Sequence, residues 1–163
     1  MASSPSPPSL PRRIAHFDLD TFFVAVARVL DPSLVGKPVL IGYRGPRGVV
    51  ATASYEARAF GCHSAQPMSQ ALRLCPQALV VAPDFEHYVT ASRAFHEILR
   101  SVTPLVESAG LDEAYTDLTG LGEHGTGALD AAHEVRRRVR DEIGIAVSVC
   151  VAGSRTTAKV GSD

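Results

Sequence analysis

The stretch Leu105-Val-Glu-Ser-Ala-Gly-Leu-Asp-Glu-Ala-Tyr-Thr-Asp-Leu118 decides how the rest of this chain is read. Leu105 to Ala109 and Ala114 to Leu118 have strand composition, and Gly-Leu-Asp-Glu between them supplies turn chemistry. The pattern predicts a β-hairpin with Asp112 and Glu113 near its tip. Upstream, Phe85 to Val102 carries apolar side chains at Tyr88, Ala91, Phe95, Ile98 and Leu99, the spacing of one helix face. Downstream, Ala128 to Ile143 reads as a helix stopped at Gly144, and Ile145 to Ala152 as a loosely alternating strand. At the other end, Ile14-Ala-His-Phe-Asp-Leu-Asp20 is a short, largely apolar strand ending in carboxylates. Thr21 to Leu30 is an uninterrupted apolar decapeptide that reads as a helix, with Asp20 as its N-cap and Asp31-Pro32 as its stop.

Between these parts lie shorter elements. Pro38 to Tyr43 and Gly48 to Ala53 read as strands joined by the Gly-Pro-Arg-Gly turn at 45–48. Tyr55 to Phe60 is a short helix closed by Gly61, Gln66 to Leu74 a second closed by Pro76, and Ala78 to Ala82 another strand. With residues 22–84 set aside as an insertion, the remaining order is strand, helix, strand, strand, helix, strand. That order predicts an α+β fold, a ferredoxin-like antiparallel sheet with a small inserted subdomain. Helices should cover one face and leave the other open for chemistry, with the first strand and the hairpin side by side at the centre. Residues 1–12, rich in Pro and Ser, predict a disordered lead-in.

The 163 residues suffice for one compact core with an inserted lobe, and 45% hydrophobic with 20% charged residues is an ordinary globular balance. No apolar run approaches the ~20 residues of a membrane span, and the N-terminus has no basic-then-apolar export pattern. Cys62, Cys75 and Cys150 are widely spaced, without a C-x-x-C pair, and read as reduced thiols of a cytoplasmic protein. A net charge of −1 gives no basic surplus for gripping duplex DNA. Ser154 to Asp163 opens a capped helix with no ending signal, so the sequence is expected to be a fragment.

The acids carry the chemistry. In the expected sheet, Asp18 and the Asp112-Glu113 pair converge from distant parts of the chain. Carboxylates gathered together repel each other unless a cation lies between them, and hard oxygen donors suit Mg²⁺. A two-metal site activates an attacking hydroxyl and neutralises a departing pyrophosphate. Taken alone, D-x-D at a strand end and D-E in a turn are equally ordinary caps and turn residues. Asp20 is read as a cap, not a ligand.

The strings HFDLDTFFVAV (16–26), LVGKPVLIG (34–42), VVATASYEARAFGCHSAQPMSQALRLCP (49–76), LDEAYTDLT (111–119) and AGSRTTAKVGSD (152–163) together resemble the Y-family translesion DNA polymerases, in particular their DNA polymerase IV branch. The resemblance runs from Arg13 to Asp163. It implies a palm from residues 13–21 and 85–163, fingers from 22–84, and an absent thumb and little finger. It further implies that Asp18 and Asp112 bridge two Mg²⁺ ions, with Glu113 the third acid and the Leu19 carbonyl a further ligand. Phe23 would be the steric gate against a ribose 2′-hydroxyl, with Phe22 beside it, and core packing is the rival reading of both rings. Thr52, Tyr55, Arg58 and Lys159 would hold the triphosphate, Arg58 through its planar donors, although a plain surface position also accounts for it. Ala27 and Gly110 depart from the family's usual Glu and Ser, and neither is a ligand.

The implied activity is low-fidelity, damage-tolerant DNA synthesis by a cytoplasmic monomer on primer-template DNA and a deoxynucleoside triphosphate. A sliding clamp would recruit it through the missing C-terminal part, and the fragment alone would extend primers poorly. A non-catalytic interaction module in a damage-response complex is the first alternative, and it would be expected to have lost an acid. A nucleotide cyclase is the second. The arginines at 136, 137, 138 and 140 read as a solvated helix face balanced by Glu134, Asp141 and Glu142. The six histidines show no ligand pattern.

Overall fold

A computed structural model describes residues 10–122 and 127–162, so most of the Pro/Ser-rich lead-in lies outside the described residues. The elements are β1 Ile14–Leu19, α1 Phe22–Leu30, β2 Val39–Gly42, β3 Val50–Ala53, α2 Tyr55–Arg58, α3 Met68–Leu74 and β4 Leu79–Val81, then α4 Phe85–Val102, β5 Val106–Ser108, β6 Glu113–Asp117, α5 Gly127–Arg138, β7 Val147–Ala152 and α6 Arg155–Ser162.

The larger sheet has the order β5-β6-β1-β7, every neighbouring pair antiparallel. Together with α4 and α5 this is the expected split β-α-β arrangement. The hairpin is present, but only β6 shares the centre with β1, and β5 forms the edge. Alternation along β1 sends Ala15, Phe17 and Leu19 into the main core, where they meet Phe95, Ile98 and Leu99 of α4 and Ala132, Val135 and Val139 from α5 and the turn after it. Each large apolar side chain fully buried there contributes about 1.5–3 kcal/mol. The expected single helix to Ile143 divides: α5 ends at Arg138, and Val139–Ile143 form one wider π turn capped by Gly144 in the left-handed region.

The inserted segment builds its own three-stranded sheet, β3-β2-β4, around a second core that includes Leu40, Met68 and Cys75. Helix α1 joins the two units because it is apolar on opposite sides. Phe22 and Val26 pack into the main core, whereas Val24 and Ala27 join Val39 and Ile41 of the small sheet. An apolar decapeptide is what an element buried between two bodies requires.

The second face of the large sheet, which the sequence led us to expect open, is partly covered. Helix α6 lies across β1 and β7. The approach is close enough that a Cβ at Gly161 would collide with Cys150 Sγ. The three cysteines are free thiols. No helix among the described residues is long and apolar enough to cross a membrane.

Candidate active site

The acids meet where β1 ends and β6 begins. Asp18 is the direct register partner of Glu113 on one side and of Ser148 on the other, so the three side chains share the face beneath α6. The Leu19 amide donates to the Asp112 carbonyl at 3.0 Å, which fastens the β1 end to the hairpin tip. Asp112 is partly buried. Desolvation, and then the charge of Glu113, push its carboxyl above the ordinary aspartate range. Glu113 moves the other way. The Lys159 ammonium donates to its Oε2 at 2.7 Å, and His16 Nε2 lies 3.3 Å from the same oxygen, so its carboxyl sits below the usual range. Adjacent acids driven apart in this way are a mark of functional clusters.

The donor chemistry fits a hard divalent cation: carboxylates on adjoining strands, with Asp112 beside them held at a raised pKa by burial and then by neighbouring negative charge. Among the described residues no three His, Cys, Asp or Glu side chains already form a closed ion-binding group.

Asp20 is not the cap of α1. Thr21 occupies that position in a left-handed conformation, φ 45°, without a side-chain cap bond. Asp20 Oδ1 instead accepts the Ser148 hydroxyl at 2.7 Å. A strand-end residue following the period-2 pattern reaches across to β7 sooner than forward to a helix.

The two phenylalanines separate. Phe22 is 3% exposed and belongs to the core. Phe23 is half-buried and lies flat on Tyr88, with centroids 4.1 Å apart and planes 16° from parallel, and Phe85 closes its edge at 6.2 Å. Thr52 sits on β3, and Tyr55 and Arg58 on α2, whose Ser54 cap accepts from the Ala57 amide at 3.2 Å. Arg58 Nε donates to the Ala53 carbonyl at 3.0 Å, and its guanidinium lies 5.4 Å from the centre of the exposed Tyr55 ring. Lys159 stands mid-way along α6.

Three participants escaped the sequence reading. His16 is 0% exposed beneath α6, its Nδ1 2.6 Å from Ser162 Oγ. Ser148 holds Asp20, and Tyr88 supports Phe23. Alternation alone, two residues back from Asp18, would have put His16 on the carboxylate face. Nothing in the sequence marks Tyr88 as more than a core aromatic.

Residues 17–163 match the impB/mucB/samB family, and the chain belongs to that family. It is 47% identical over 153 residues to the DNA polymerase IV of Ralstonia nicotianae and 44% identical over 153 residues to that of Halorhodospira halophila, covering 93% of this chain and 43% of each relative. The chain therefore spans a little under half the length of the curated relatives it matches. Among solved structures, DinB from Sulfolobus solfataricus superimposes with a TM-score of 0.87 at 31% identity, over 91% of this chain and 44% of that one. An insertion ternary complex of Dbh DNA polymerase gives 0.86 at 30% over the same shares.

Proposed function

We propose that this chain is the catalytic part of a translesion DNA polymerase, adding deoxynucleotides to a primer 3′-hydroxyl at the Asp18–Asp112–Glu113 edge. The observation that carries the reading is the register pairing of Asp18 with Glu113 directly beside the hairpin tip. In this reading residues 13–21 and 85–163 are the palm and 22–84 the fingers, and thumb and little finger belong to the further length its relatives have. Family membership and the kinship with polymerases named above support it.

Asp18, Asp112, Glu113 and the Leu19 carbonyl would hold two Mg²⁺ ions. Bound there, they would supply charge neutralisation for the primer hydroxyl and the departing pyrophosphate. The chain's own groups do the positioning. Lys159 and His16 keep Glu113 ionised. Phe23, braced by Tyr88, leaves no room for a ribose 2′-hydroxyl and offers it no hydrogen-bond partner. Phe22, sealed in the core, contributes through its backbone and by fixing α1. With Nε committed to Ala53, Arg58 retains its terminal nitrogens for phosphate oxygens beside Tyr55, Thr52 and Lys159. Small fingers enclose the nascent pair loosely, which accounts for damage tolerance and low fidelity.

All three acids are retained at the positions the chemistry needs, which favours catalysis over a non-catalytic interaction module. Reduced thiols accord with a cytoplasmic location. A sliding clamp would engage parts beyond this chain, and the protein would act as a monomer. Primer extension with Mg²⁺ and deoxynucleotides tests the proposal: Glu113→Ala or Asp112→Ala should abolish template-directed extension with the fold intact. Retained extension, or cyclic-nucleotide formation instead, would refute it.

A further inference from the structure

We infer that the groove between α5 and the edge strand β7 binds the phosphodiester backbone of a DNA strand running to the catalytic carboxylates. The inference rests on the polymerase reading for its ligand, but its basic residues on α5 and the turn after it lie outside the site already described.

The four arginines around the end of α5 are not equivalent. Arg137 forks onto Glu134 at 2.7 and 3.1 Å and reaches Asp141 at 3.2 Å. Arg138 is held by Glu142 at 2.5 Å and donates to Ser101 Oγ at 2.6 Å. These two engage all three carboxylates that sequence arithmetic would spread over the whole run. Among the described residues Arg136 has no carboxylate within ion-pair distance, and Arg140 has only Asp141 at 3.6 Å, whose other oxygen Arg137 takes. Half the run is a solvated, neutralised face, and half is unneutralised positive charge.

The unneutralised half lies together. His133, Arg136 and Arg140 follow each other at spacings of three and four, which places them on one helix face. Together with the ion-paired Arg137 they line a groove of about 260 Å³ whose other wall is the start of β7, with Ser148 and Asp20 also on its lining. Ser148 is the register partner of Asp18, so the groove ends one strand pair from the catalytic acids. Asp20 is the one acid among the described lining residues, against three arginines, and its carboxylate accepts the Ser148 hydroxyl at 2.7 Å. Charge along the groove thus passes from basic to acidic, as suits a polyanion that terminates at a cation-dependent centre.

The spacing selects the ligand class. Arg136 and Arg140 are neighbours on successive turns, roughly 5–6 Å apart at their side-chain bases, comparable with successive phosphates on one strand. Guanidinium forks engage phosphate oxygens two at a time. A chain with a net charge of −1 has no overall basic surplus, so its affinity for DNA would depend on local patches of this kind.

Fluorescence anisotropy of labelled single-stranded DNA, over a salt series, tests this with the 163-residue chain, Arg136→Gln/Arg140→Gln, and the charge-matched control Arg73→Gln/Arg100→Gln on other exposed helix positions. Loss of two phosphate contacts should flatten the dependence of log affinity on log salt by about 1.4. A fourfold rise in salt would then weaken the wild type roughly sevenfold more than the groove variant, irrespective of DNA sequence. The single variants should each give about half that change, and the control none. An unchanged slope, an equal change in the control, or no DNA binding by the wild type at low salt overturns the inference. Failure of the polymerase reading is distinguishable: the groove variant would still lose salt-sensitive binding, while Mn²⁺ would find no site at Asp18, Asp112 and Glu113.

Discussion

Lys159 reaches from α6 to set its ammonium 2.7 Å from Glu113 Oε2, which ties the helix lying over the sheet to the first residue of β6. Because Lys159, and after it His16, hold the Glu113 carboxyl below the usual range, the pair contributes stability above the unfolded glutamate pKa. That contribution is lost as pH falls through the lowered folded value. Lys159→Met should therefore cost about 0.5–1 kcal/mol at neutral pH and almost nothing in acid, where Glu113 is protonated in both states. Urea unfolding at the two pH values measures this, and equal costs would deny the ion pair its role.

Asp112 has the opposite sign. Its folded pKa is raised by burial and by Glu113, so the native state binds that proton more readily than the unfolded chain. Stability should fall as pH rises from the ordinary aspartate value through the raised one. Asp112→Asn should thus stabilise the metal-free protein by a few tenths to about 1 kcal/mol while abolishing extension. Thermal melts should show Mg²⁺ raising the Tm of the wild type and leaving the variant unmoved. A variant less stable than the wild type without metal would contradict the account.

The seat of α6 is equally open to test. A methyl group at Gly161 would run into Cys150, so Gly161→Ala should cost about 1–3 kcal/mol through overpacking. Adding Cys150→Ala should recover most of that loss. A double variant no more stable than the single one would mean that β7 and α6 are not packed as described.

Phe23 owes its fixed position to Tyr88, stacked beneath it at 4.1 Å. In a primer-extension competition, Phe23→Ala should raise ribonucleotide incorporation at least about tenfold, equivalent to roughly 1.4 kcal/mol of lost discrimination. Tyr88→Leu should produce a smaller rise, because the gate remains but its support is gone. Unchanged sugar selection in Phe23→Ala would remove the gate from the mechanism.

Much of this architecture was legible because it rests on local periodicity. The Leu105–Leu118 hairpin, the α4 face from Tyr88 to Leu99 and the β1 carboxylates follow from spacing alone, and the family's motifs singled out Phe23, Thr52, Tyr55 and Arg58 as candidates. What could not be read depends on which elements lie against each other. Asp20 has equal local claims as a cap and as a strand residue, and only the neighbouring β7 strand, through Ser148, decides between them. The burial of His16 requires α6 to fold back over β1, which no pattern within either segment encodes. The arginines of α5 read as evenly balanced until the geometry showed two of them taking the carboxylates.

The central claim is that Asp18, Asp112 and Glu113 form one divalent-cation site. Titrating Mn²⁺ into ¹⁵N-labelled protein measures this most directly, because the paramagnetic ion broadens only the resonances near it. The account predicts that amides of residues 18–20 and 111–113 broaden first, that Mg²⁺ competes the effect away, and that Glu113→Gln greatly weakens it. Broadening centred elsewhere, or an unaltered pattern in Glu113→Gln, would contradict it.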